Sequence, residues 1–208
     1  MQAEARGSRS GAGQIRMLVA VVGPSGAGKD TLMDGARAAL AGDPRFRFVR
    51  RCITRPAEAG GEAHEALTPE AFAVRRAQGG FALVWEAHGL LYGIPRDIEG
   101  DLATGRVAVA NLSRHALVEA AARYPLRVLL ITAPVALRAA RLAARGREPA
   151  ADIAARLSRE AELPAGLDVE TVSNDADVEA GVVRVLAALN RAAADARRSG
   201  RGPQARPG

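Results

Sequence analysis

The chain has 208 residues, 48% of them apolar, which suits one domain with its own core and excludes a disordered polypeptide. Cys52 is the single cysteine, so internal disulfides and cysteine-cluster zinc sites are excluded. The net charge of +6 divides into +2 on residues 1–16 and +4 on residues 191–208, which leaves 17–190 neutral and makes a nucleic-acid partner an unneeded reading.

The Gly/Arg/Pro-rich ends read as solvated tails: a disordered extension over 1–16 and a basic tail over 191–208, disordered in its distal part. No apolar run nears the ~20 residues of a membrane span. The segment MQAEARGSRSGAGQIR lacks the apolar stretch of a secretory signal. A cytoplasmic location with no membrane partner is therefore expected.

In chain order, MLVAVVG (17–23) reads as a buried parallel strand, followed by a helix from about Lys29 to Ala41. FRFVRRCIT (46–54) reads as a second strand. Thr68 as N-cap and Pro69 at the first helical position open a helix that stops at Gly79-Gly80. FALVWEA and LLYGI form short strands around Gly89, and RVAVANL (106–112) another. SRHALVEAAARY is a helix capped by Ser113. LRVLLITA (126–133) is a strand, and Pro134 to Gly146 a helix. A further helix over PAADIAARLSREAEL, a last strand LDVETVSN and a terminal helix DVEAGVVRVLAALNRAA complete the chain. Strands alternating with helices imply an α/β fold, a parallel sheet covered on both faces.

The segment VAVVGPSGAGKDTLMDG carries the chemistry. Gly23, Pro24, Ser25, Gly26, Ala27, Gly28 and Lys29 match the phosphate-loop pattern G-x-x-x-x-G-K, in the strand–turn–helix context it needs. Glycines let successive N–H groups face a phosphate chain, and the helix N-terminus adds its partial charge. Lys29 is the only lysine among 29 basic residues. A guanidinium fork does not fit where a compact ammonium must lie among phosphate oxygens, so the surviving lysine supports a working loop. The loop departs from the pattern at Asp30, where Ser or Thr usually holds magnesium; Thr31 follows one place later. Asp30 and Thr31 are the candidate Mg2+ ligands, and a helix-capping role for Asp30 is equally open.

Arg138, Arg141 and Arg145 share a helix face. For most arginines of this region a solvated surface is the reading. Arg145, Arg147 and Arg156, at a helix–helix junction, fit a lid that neutralises a transferring phosphoryl group. Arg51 and Arg55 lie near a strand end, where ligands bind in open α/β sheets. His64, His88 and His115 show no triad or metal spacing and read as surface or packing residues. No general base is needed if the nucleophile is an anionic phosphate oxygen.

With GPSGAGK, ITRP, GLLYG, RLAARG…IAARL and SND in this order, residues 17–190 resemble the guanylate-kinase-like branch of P-loop kinases. Within it, G-K-D-T-L (28–32), ITR with AGGEAH (53–64), NLSR (111–114) and RGRE (145–148) resemble the ribose 1,5-bisphosphate phosphokinase family of phosphonate degradation. The resemblance implies a P-loop kinase fold with an acceptor region at about 46–95 and a lid at about 145–162. It implies ATP and Mg2+ as cofactors and ribose 1,5-bisphosphate as acceptor, the product being 5-phosphoribosyl 1-diphosphate. It gives the loop and Thr31 to ATP, places Asn174 near the adenine, and puts the acceptor on Arg55 and Tyr92, with Arg51 beside them. Arg145 and Arg156 close over the transferring group with Lys29. Guanylate kinase is the alternative, but Glu58 stands where its second phosphate-binding arginine would be, and Leu83 where its guanine-reading glutamate would be. An inactive kinase-like binding module is the third reading. Oligomeric state is left open.

Overall fold

The computed structural model describes residues 17–57, 62–144, 157 and 162–199. Glu58, the lid arginines Arg145, Arg147 and Arg156, and the two termini lie outside them.

Two sheets organise the chain. The larger has five strands: β1 (Met17–Val22), β2 (Phe46–Phe48), β7 (Val107–Asn111), β8 (Leu126–Thr132) and β9 (Val169–Ser173). Their order is β2-β7-β1-β8-β9, and every pairing is parallel. The smaller sheet joins β3 (Cys52–Ile53), β4 (Glu65–Ala66), β5 (Phe81–Ala87) and β6 (Leu90–Pro95) in the order β4-β3-β6-β5. There β6 runs antiparallel to both neighbours. Among the described residues the helices are α1 (Lys29–Ala39), α2 (Pro69–Ala77), α3 (Ile98–Ala103), α4 (Leu117–Arg123), α5 (Val135–Ala144) and α6 (Val178–Ser199).

β1 is apolar throughout because both its faces are covered. Leu18, Ala20 and Val22 face one core with Leu102, Leu117 and the small-sheet residues Leu83, Trp85 and Ile94. Val19 and Val21 face the other, packed by Leu32, Met33 and Ala36 of α1 and Val185, Ala188 and Leu189 of α6. A third, small core of Cys52, Phe72 and Phe81 holds α2 on the small sheet, with the two phenyl rings 4.5 Å apart. His88 (φ 53°) and Gly89 (φ 71°) make the left-handed two-residue turn that joins β5 to β6.

Three expectations are corrected and one element is added. FRFVRRCIT is not one strand: Phe46–Phe48 pairs with β7 and Cys52–Ile53 with β6, so the chain crosses between sheets over 49–51. The segment after Ser113 begins as a 3-10 turn (Arg114–Ala116) before α4. The terminal helix continues to Ser199, because Ala192, Ala193 and Ala196 bury an alanine face against the core, so it takes in half of the segment read as a tail. Helix α3 is an addition that the sequence reading did not contain.

Candidate active site

β1 ends at Val22 in the middle of the sheet, and the chain turns through Gly23–Gly28 into α1. Two glycines are dictated by geometry. A Cβ on Gly23 would lie 2.1 Å from the carbonyl oxygen of Ile131 on β8. Gly28 has φ 84° as N-cap of α1, and a Cβ there would lie 2.4 Å from Asn174 Nδ2. Lys29 folds back over the loop, its Nζ donating to the Gly23 carbonyl at 2.7 Å and the Pro24 carbonyl at 3.2 Å. Burial pulls its pKa down, as do Arg51 and Arg114, against the opposing pull of Asp30 and Glu62. Arg51, Glu62 and Arg114, from other parts of the chain, therefore act on the charge of the loop lysine.

Beneath the loop lie residues that hold its shape. Asn174, 3% exposed, follows β9 and donates from Nδ2 to the Ala27 carbonyl at 2.8 Å. Arg141 Nη2 donates to the Asn174 carbonyl at 3.3 Å. Arg138 is 1% exposed and its Nε donates to the Ser25 carbonyl at 3.1 Å. The solvated reading of this arginine face is thus overturned for Arg138, whose guanidinium braces the loop from α5. Asn174 likewise touches the underside of the loop.

On the far side of Lys29, Arg51 Nε donates to Glu62 Oε1. The Arg51 guanidinium lies over the rings of Tyr92 (5.2 Å) and Trp85 (5.8 Å), which stack on each other at 5.4 Å. Such cation–ring contacts fix a long side chain without neutralising it. Glu62 also accepts from Asn111 Nδ2 at 2.6 Å, and the same amide nitrogen lies 3.4 Å from Asp30 Oδ1. Arg55 Nη2 lies 3.3 Å from His64 Nδ1. Thr31 is exposed on α1. Leu83 is 1% exposed and packs in the main core, offering no polar edge.

Asp30, Glu62 and Asn111 thus line one crevice at the carboxyl ends of β1 and β7, the usual ligand position in open α/β sheets, with Arg51 and its Tyr92 platform joined to it through Glu62. Asn111, at the end of the strand RVAVANL, is expected from the sequence to lie at the site as a neutral partner to Asp30, whereas Glu62 and Arg114, in the motifs AGGEAH and NLSR, are site residues that motif reasoning does not single out; no spacing says that Glu62 meets Asn111. Two carboxylates, Asp30 and Glu62, converge on the Asn111 amide beside Lys29. This carboxylate pair is of the kind that suits Mg2+, no contact ties the exposed Thr31 to it among the described residues, and the glycine-walled loop fits a polyphosphate.

Comparison with known proteins decides the family. No family model matches the chain. The ribose 1,5-bisphosphate phosphokinase PhnN of Brucella melitensis is 51% identical over 138 residues, covering 66% of this chain and 72% of that protein. The chain belongs to the ribose 1,5-bisphosphate phosphokinase family. The Pseudomonas fluorescens member is 53% identical over 137 residues, 65% of this chain and 72% of its own. A bifunctional ribose 1,5-bisphosphokinase-thymidine phosphorylase from Azorhizobium caulinodans is 56% identical over 135 residues, 64% of this chain. This chain spans only 20% of that longer protein's length. As a phosphokinase family member the chain is an enzyme of phosphoryl transfer. Its fold agrees with a guanylate kinase from Anaplasma phagocytophilum (TM-score 0.62, 14% identity, 86% of each chain). A gluconokinase from Sinorhizobium meliloti shares the fold more loosely (TM-score 0.50, 17% identity, 88% of this chain and 96% of that one).

Proposed function

We propose that this chain transfers the γ-phosphoryl group of ATP to the 1-phosphate of ribose 1,5-bisphosphate, giving 5-phosphoribosyl 1-diphosphate and ADP. The observation that carries the reading is the 51% identity to a ribose 1,5-bisphosphate phosphokinase, supported by the Lys29 ammonium lying in the phosphate loop against the Gly23 carbonyl.

In the reaction an oxygen of the acceptor's 1-phosphate attacks the γ-phosphorus, and the bond to the β–γ bridging oxygen breaks with its electrons going to ADP. The attacking oxygen is anionic, so no proton has to be removed. The protein's task is alignment and charge neutralisation. Gly23–Gly28 hold the nucleotide phosphates through main-chain N–H groups. Lys29 exchanges its two carbonyl contacts for the β/γ oxygens. Arg51, Arg55 and Tyr92 hold the acceptor phosphates, and Arg145 and Arg156 neutralise the transferring group. Asn174 serves the nucleotide by fixing the loop at Ala27. Asp30, with Glu62 and Asn111 nearby and Thr31 next to it in sequence, would hold Mg2+, which would supply positive charge to offset that of the phosphates.

Leu83 supports the sugar phosphate over GMP, since a buried apolar side chain cannot read a base edge. Phosphorus NMR of the purified chain with ATP and ribose 1,5-bisphosphate tests the reading. Diphosphate resonances of the sugar product growing with ADP are expected; no turnover of this acceptor would refute it.

A further inference from the structure

His64 belongs to the AGGEAH motif, yet nothing above uses it. It is 4% exposed, one of the few buried polar side chains among the described residues. Its Nε2 lies 3.0 Å from the Arg55 carbonyl oxygen. Its Nδ1 lies 3.0 Å from the Glu62 carbonyl oxygen and 3.3 Å from Arg55 Nη2. Its own carbonyl accepts from Arg50 Nη2 at 2.7 Å.

A carbonyl oxygen only accepts, and a neutral imidazole has one N–H and one lone pair. With the proton on Nε2 the ring donates to the Arg55 carbonyl and accepts from the Arg55 guanidinium. One ring then holds the main chain and the side-chain tip of the same arginine. Among the described residues Arg55 Nε is buried without a hydrogen-bond partner, and His64 is the side chain that orients this guanidinium.

We propose that His64 is a positioning residue of the acceptor site: it fixes Arg55 by its main-chain carbonyl and its guanidinium at once. The inference rests on the assignment of Arg55 to the acceptor. An arginine has many rotamers to lose on binding, and holding it in place beforehand reduces that cost. A histidine that merely packed would affect both substrates alike, or neither.

The test compares full-length wild type with His64→Leu, similar in size without polar atoms, and His64→Gln, which keeps a donor and an acceptor. Each is assayed for the KM of acceptor, the KM of ATP, and kcat. The acceptor used is whichever of ribose 1,5-bisphosphate and GMP the wild type turns over better. A preference for GMP would thus sink the proposed function while still scoring His64. His64→Leu should raise the acceptor KM roughly five- to tenfold, with the ATP KM within about twofold of wild type. His64→Gln should recover most of the loss. A folded His64→Leu enzyme with an unchanged acceptor KM, or with both KM values raised together, would overturn the proposal. If His64→Leu does not fold, His64→Gln decides alone: near-native acceptor KM supports the role, and a rise as large as tenfold contradicts it.

Discussion

Asn111 Nδ2 donates to Glu62 Oε2 at 2.6 Å, tying the end of β7 to the acceptor-side segment next to Asp30. Asp30 lies in the first turn of α1 and its Oδ1 also accepts from Asn111 Nδ2 across at the sheet. If it serves Mg2+, Asp30→Asn should raise the magnesium concentration for half-maximal rate several-fold. Adding Asn111→Asp should restore part of it. A pure first-turn charge effect is worth only ~0.3–1 kcal/mol of stability and would leave the magnesium titration unchanged, the result that refutes the metal role.

Lys29 is the only ammonium of the chain and lies inside the phosphate loop. Lys29→Ala should lower kcat by about 10²-fold or more, because the lost charge stabilises the transferring group. Lys29→Arg should fail comparably, since the planar fork cannot occupy the same place. Steady-state kinetics of both variants check this, and near-normal turnover by the arginine variant would contradict it.

Gly28 combines a left-handed backbone with the Asn174 amide pressed against its α-hydrogen side. Gly28→Ala should cost about 1–3 kcal/mol in strain, seen as a lower thermal midpoint, and should raise the KM of ATP. Asn174→Ala removes the strut to Ala27 and should raise the ATP KM with a smaller stability loss. An unchanged ATP KM in both would separate loop shape from nucleotide binding.

Cys52 is wholly buried, and its Sγ donates to Glu65 Oε2 at 3.2 Å. Burial first, then the Glu65 contact, pushes the thiol from its ordinary 9.0 up to about 12. The folded chain thus keeps this proton at pH values where the unfolded chain releases it. Stability is unaffected by this thiol below pH 9 and falls as pH rises from 9 towards about 12. At pH 8 a thiol reagent should label Cys52 only as fast as the protein opens, in step with unfolding measured by Trp85 fluorescence. Fast labelling of the native chain would contradict the burial.

The phosphate loop was legible because all its parts are local: β1, the glycines and Lys29 follow one another in sequence. The acceptor side was less so. Val49–Arg51 carries the chain from one sheet to the other, and continuous strand-like composition hides that crossing. Glu62 and Asn111 meet only because two sheets pack together. Arg138 looked like surface charge, since periodicity shows which residues share a face but not what covers it. Helix α3, six residues with Gly100 inside, is too short to show a period. The far end of α6 was masked by its arginines, though its alanines carry the packing.

The central claim is that this crevice reads a sugar phosphate and not a base. It rests on Leu83 being buried and apolar and on Arg51, held over the Tyr92 and Trp85 rings beside Glu62. The most direct measurement is kcat/KM with ATP for ribose 1,5-bisphosphate and for GMP, on the same preparation. The account predicts a preference for ribose 1,5-bisphosphate of about 10²-fold or more. Equal values, or a preference for GMP, would contradict it.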